Sequence, residues 1–93
     1  MASSSGVHYV YILRCADTSL YVGETVDLAR RLAKHNDGSA SAFTAARRPV
    51  SLAHSETYGT SEAALKRERQ LKRWTRAKKE ALIVGDLALL KKL

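Results

Sequence analysis

Two short β-prone runs held close together constrain this 93-residue chain most. His8 to Arg14 is rich in β-branched and aromatic residues, and Leu20 to Gly23 resumes that character. Between them lies turn chemistry, Cys15-Ala16-Asp17-Thr18-Ser19. A parallel pairing needs a crossover of about a dozen residues or more. The linker here is far too short for that, so the two runs must form an antiparallel hairpin. Alternation along the first strand puts Tyr9, Tyr11 and Leu13 on one face and Val10 and Ile12 on the other. The second strand carries Tyr21 and ends at Gly23, where the backbone can be approached closely.

A helix is expected directly after the hairpin. Thr25 is a suitable N-cap, with Asp27 in the first turn. The helix runs to about Asn36, and Asp37-Gly38 stops it. Leu28 and Leu32 form its core stripe. Arg31 and His35, i and i+4, lie side by side on the adjacent face. Such a pair is either a solvated helix face or, beside the hairpin tyrosines, part of a phosphodiester site. Gly38 to Arg48 predicts a loop with one helical turn near Ala42–Ala46, and Val50 to Tyr58 a third strand. Gly59-Thr60-Ser61 is a turn with a cap, followed by helices from Glu62 to about Trp74 and from Arg76 to Val84. Gly85 breaks the last of these, and Leu87 to Leu93 reads as a short apolar and basic tail. The order implies an α/β domain over residues 7–86, a three-stranded antiparallel sheet flanked by helices, with a flexible polar tail at residues 1–6.

The formal net charge of +7 points to a polyanionic partner. It is uneven: residues 1–60 hold six basic side chains against five acidic ones, residues 61–93 ten against four. From Lys66 to Lys79 there are eight basic residues, Lys72 among them, and Glu68 is the sole acid. Arg76, Lys78 and Lys79 read as an exposed face. Arg47 and Arg48, in the loop before the third strand, are better placed to touch a substrate. Cys15 is the only cysteine, so no internal disulfide can form, which fits a reducing, cytoplasmic setting. No signal peptide or bilayer-spanning apolar run is present.

Drawn as a wheel, the helix from Glu62 puts Glu68 between Ala64 and Leu65, inside the apolar arc. A buried carboxylate is costly unless it is paired or binds a metal. Two readings stay open: an ion pair with Lys72 or Arg31, or a ligand for a hard divalent cation such as Mg²⁺, completed by water and phosphate oxygens. Trp74 falls where core packing is expected rather than base stacking.

Taken in order, these residues resemble the GIY-YIG nuclease domain family. Tyr9-Val10-Tyr11 and Tyr21-Val22-Gly23 match its two name-giving motifs, with Tyr9 in place of a glycine. Asp27-Leu28-Ala29-Arg30-Arg31 matches its helix motif, His35 the histidine one turn on, and Glu68 its metal-binding glutamate. The likeness is to small stand-alone bacterial members, and no late asparagine of the homing type is present. The resemblance implies a metal-dependent DNA endonuclease acting on single-stranded, branched or damaged DNA. Tyr11 would be general base, supported by Tyr21, Arg31 and His35. Glu68 would hold Mg²⁺ or Mn²⁺, and Arg30, Arg47, Arg48 and Lys72 would contact the nucleic acid. Rival readings are a non-catalytic nucleic-acid-binding module and an accessory domain of a larger repair assembly.

Overall fold

The computed structural model describes residues 6–93. Its sheet has three antiparallel strands, β1 (His8–Arg14), β2 (Leu20–Thr25) and β3 (Ser51–Tyr58), in the order β2-β1-β3. β1 is central because it alone has a run of side chains that can be buried on both faces: Val10, Tyr11, Ile12 and Leu13 are all 1% exposed or less. On one face Tyr11, Leu13, Cys15 and Val50 pack with Leu28 and Leu32 of α1 (Leu28–Asp37). On the other, Val10, Ile12 and Val22 meet Ala64 and Leu71 of α3 (Ser61–Arg73), backed by Leu82 and Ile83 of α4 (Arg76–Val84). The sheet is thus the middle layer of an α/β domain with helices on both faces, as the element order implies.

The entry into α1 differs from the sequence expectation in one respect. Thr25 is not the N-cap. β2 continues to Thr25, which is paired with Tyr9, so the chain is still extended there. Asp27 caps instead, its carboxylate accepting the Arg30 N–H at 3.1 Å, while the buried Thr25 hydroxyl accepts the Asp27 N–H at 3.2 Å. At the other end Gly38 adopts φ 88°, the left-handed conformation that closes a helix.

α2 (Ala42–Ala45) is the single turn expected in the following loop, capped by Ser41. The loop is closed at its base by Asn36. Its amide donates to the Val50 carbonyl at 3.0 Å and accepts the Val50 N–H at 2.8 Å, imitating a strand pairing. That clamp holds α2 against the C-terminal half of α1. The stretch read as a tail, residues 87–93, forms a further short helix, α5 (Leu87–Lys92). Asp86 caps it by accepting the Leu89 N–H at 3.0 Å, and none of its residues is buried. A six-residue helix spans too few turns to display an amphipathic period.

Candidate active site

The pairing register creates the site. Tyr11 stands opposite Gly23, and its ring lies across the glycine backbone where a side chain would otherwise be. A Cβ at Gly23 would run into the Tyr11 hydroxyl. This close approach is what the motif glycine permits.

α1 then delivers His35 to the same hydroxyl. Its ring is 1% exposed, with Nε2 2.9 Å from Tyr11 Oη and Nδ1 2.8 Å from Thr44 Oγ1 on α2. Tyr21 presents its ring edge-on to His35, centroids 5.0 Å apart. Arg31, one turn before His35, is half-buried and acts electrostatically on both Tyr11 and His35. From α3, the Glu68 carboxylate is close enough for its charge to act on Tyr11. Tyr21 and His35 are thus packed beside Tyr11, with Arg31 and Glu68 acting on its phenol through their charges.

Burial pushes the Tyr11 phenol up to about 12, the neighbouring Tyr21 adds to that, Arg31 pulls the other way and Glu68 raises it again. Burial, then the Arg31 charge, holds His35 below the ordinary imidazole value. The resting pair at neutral pH is a neutral phenol on a neutral imidazole.

Glu68 is half-buried rather than enclosed. Ala64 and Leu71 are fully buried, but Leu65 is 38% exposed, so the buried arc of α3 ends short of it. The carboxylate sits at the border of that arc, not in its middle. The wheel placed it beside Ala64, and its side chain is indeed mostly buried, 16% exposed; it is Leu65, on its other side, that faces solvent. Lys72 Nζ lies 3.3 Å from Glu68 Oε2, the ion pair named as one of the two readings. Among the described residues no three His, Cys, Asp or Glu side chains cluster closely enough to hold a metal ion. A cation at Glu68 would complete its shell with water and substrate oxygens, and a single carboxylate, 16% exposed, fits Mg²⁺ or Mn²⁺ on those terms.

The remaining residues expected at a nucleic-acid surface are divided. Arg30 is exposed and lines a groove of about 230 Å³ with Arg31, Lys34, Thr25 and Asp27. Arg47 is already engaged: its guanidinium lies 3.9 Å from the Phe43 ring centroid, and its Nε is 3.2 Å from the Asp17 carboxylate. Arg48 is exposed and donates to the Ala45 carbonyl at 2.9 Å. Lys72 is exposed but paired with Glu68. Tyr9 lines an adjoining, mostly apolar groove with Leu28, Leu32 and Leu52. Trp74 packs against the Leu71 side of the core, with Arg67 and Lys78 over its ring at 5.1 and 4.8 Å.

Two residues of the site escaped sequence reasoning. Phe43 packs on Tyr21, centroids 5.9 Å apart, and Thr44 is fully buried against His35. The only local signal was Ser41 three residues before Thr44, which announces a capped turn but not what the turn covers.

The hairpin that carries a tyrosine onto a helix-borne histidine, on a two-faced α/β sheet, belongs to a small domain of the endonuclease superfamily. Residues 7–81 match the GIY-YIG catalytic domain, and the chain belongs to the GIY-YIG family. It is 44% identical over 79 residues to a UPF0213 protein of Natronomonas pharaonis, covering 85% of this chain and 93% of that one. A UPF0213 protein of Bacillus pumilus is 49% identical over 76 residues, covering 82% and 78%. Among solved structures, the solution structure of a UPF0213 protein from Bacillus halodurans is 40% identical with a TM-score of 0.56, covering 84% and 83%. That of a protein from E. faecalis is 39% identical with a TM-score of 0.60, covering 88% of each chain.

Proposed function

We propose that this protein is a metal-dependent endonuclease that hydrolyses phosphodiester bonds in single-stranded, branched or damaged DNA. The observation that carries the reading is the buried Tyr11–His35 hydrogen bond, set beside Arg31 and within electrostatic reach of Glu68.

Tyr11 is the general base in this reading. A phenol at about 12 is a poor base while it keeps its proton, so it must give that proton up as it takes one from water. The acceptor at hand is His35 Nε2 at 2.9 Å. Arg31 favours the phenolate through its charge and offers a planar donor fork to the scissile phosphate. Tyr21 packs on His35 and limits its swing. Glu68 would hold Mg²⁺ or Mn²⁺, with Lys72 released from its ion pair. Such an ion, when bound, neutralises charge on the phosphate and the leaving 3′ oxygen. Arg30 and Lys34 flank the groove beside Arg31 and would follow the backbone without reading sequence. Arg47 and Arg48 would contribute from the α2 loop. A reducing compartment such as the cytoplasm suits the free, buried Cys15, and among the described residues no helix is long and apolar enough to cross a membrane.

A second reading, a nucleic-acid-binding module without catalysis, draws on one feature. Glu68 already has a cationic partner in Lys72, and a metal must outcompete it.

One experiment separates the two. Labelled single-stranded, duplex, flap and four-way DNA, and single-stranded RNA, are incubated with the protein in Mg²⁺, Mn²⁺ or EDTA. Cleavage of unpaired or branched DNA is expected with metal and none with EDTA. Glu68→Ala and Tyr11→Phe are expected to lower it by at least about a hundredfold while nucleic-acid binding persists. Binding without cleavage of any substrate supports the module instead.

A further inference from the structure

Thr44 forms no part of the expected site, yet it is fully buried, and its hydroxyl is the partner of His35 Nδ1. We propose that Thr44 is a positioning residue: its hydroxyl accepts the His35 Nδ1–H and so keeps Nε2 bare to receive the Tyr11 hydroxyl proton. The inference rests on the reading of Tyr11 and His35 as the reacting pair.

The argument is an account of protons. A neutral imidazole carries one N–H, and its other nitrogen is an acceptor. Tyr11 is 1% exposed and keeps its proton at neutral pH, so that proton needs an acceptor. Arg31, also beside this phenol, can only donate to it; among the described residues the acceptor within hydrogen-bond distance of Tyr11 Oη is His35 Nε2 at 2.9 Å. If Nε2 accepts, the ring proton must be on Nδ1, and Nδ1 must have an acceptor of its own. Thr44 Oγ1 supplies it at 2.8 Å. The Thr44 proton is in turn satisfied by Ser41, whose Oγ lies at 2.9 Å and whose carbonyl lies at 3.5 Å. The Ser41 Oγ also accepts the Thr44 N–H at 3.2 Å, which fixes α2 as it fixes the hydroxyl. The buried donors of Tyr11, His35 and Thr44 then point the same way, toward Ser41. The opposite tautomer aims an N–H at Tyr11 and leaves the phenol proton with no acceptor among the described residues.

The direction matters to the reaction. As Tyr11 passes its proton to Nε2, the phenolate takes a proton from the attacking water. The water oxygen bonds phosphorus as the P–O3′ bond breaks. The imidazolium so formed still donates from Nδ1 to Thr44 and returns its extra proton to solvent, while the leaving 3′ oxygen takes one from solvent.

The test reads the tautomer directly. The ¹⁵N ring shifts of His35 are recorded above its pKa in the wild-type protein, in Thr44→Val, which is near-isosteric without the hydroxyl, and in Thr44→Ser, which keeps it. Protonated Nδ1 is expected in the wild type and in Thr44→Ser, and a shift toward protonated Nε2 in Thr44→Val. Cleavage is expected to fall in kcat on the order of a hundredfold in Thr44→Val with KM little changed, and to return in Thr44→Ser. Protonated Nε2 in the wild-type protein overturns the proposal whether or not any variant folds, and so does an unchanged tautomer in a folded Thr44→Val. A protein that cleaves nothing, yet shows the expected tautomers, keeps Thr44 as the residue that orients His35 and overturns the nuclease reading instead.

Discussion

At the scale of single residues, Gly23 shows how little freedom the site has. Its φ is not in the left-handed region, so backbone conformation does not demand a glycine there. Space does: an added Cβ would meet the Tyr11 hydroxyl and ring. Tyr11 cannot retreat easily, because it is 1% exposed and hydrogen-bonded to His35. Gly23→Ala is expected to destabilise the fold by about 1–3 kcal/mol through overpacking. It should also displace Oη from His35, so that cleavage falls further than the stability loss explains. Urea denaturation and cleavage rates on the same preparation check this. Full activity with unchanged stability would mean that Tyr11 moves aside at no cost.

Between elements, two ion-pair clamps fasten the helices to the sheet. Arg14 of β1 grips Glu80 of α4 with both guanidinium nitrogens, at 2.8 and 2.7 Å. The deeper clamp is Glu56 of β3. It accepts from Arg67 of α3 at 2.9 and 3.0 Å, from Tyr58 at 2.6 Å, and pairs with His54 at 2.8 Å. Burial alone would raise this carboxyl. The hydrogen bonds from Arg67, Tyr58 and His54, with the Arg67 charge, overcome burial and hold it at about 2. A depressed carboxyl stabilises the fold above its unfolded value near 4.5, and that contribution is lost as pH falls toward 2. On the order of 2–3 kcal/mol is involved. The wild-type protein should therefore lose stability between about pH 5 and pH 2 more steeply than Glu56→Gln, as measured by urea denaturation across that range. Parallel pH curves for the two would show that Glu56 is not the group being titrated.

For the molecule as a whole, net charge overstates the surface available to a polyanion. Most of the +7 lies beyond residue 60, yet several of those cations are committed. Arg67 is bound to Glu56, Arg76 reaches Glu80 and the Thr18 carbonyl, Lys78 lies over Trp74, and Lys72 pairs with Glu68. The groove of Arg30, Arg31 and Lys34 includes the arginine whose charge acts on Tyr11, and Arg30 and Lys34 are exposed there. If DNA lies there, affinity falls steeply with salt as counterions are released. Arg30→Gln with Lys34→Gln is expected to weaken binding several-fold and to reduce the slope of log K against log salt by about one to two. Lys78→Gln with Lys79→Gln should change both less. Anisotropy titrations at several salt concentrations measure it, and a larger effect from the distal pair would move the substrate onto α4.

Periodicity and turn chemistry alone determined the hairpin, the placing of Tyr11 and Leu13 opposite Val10 and Ile12, and the pairing of Arg31 with His35 on one helical turn. These are local matters, because a strand alternates and a helix repeats whatever lies around it. Resemblance joined those residues to Glu68. Only the tertiary structure decided the rest. The length of β2 moved the cap from Thr25 to Asp27. Solvent on Leu65 put Glu68 at the border of the core. Asp17 and Phe43 claimed Arg47. Thr44 met His35 because Asn36 closes an intervening loop onto Val50, a contact between segments that no pattern in either one encodes. Burial is a property of the assembled layers, and so the state of the Tyr11 proton could be read only once the layers were in place.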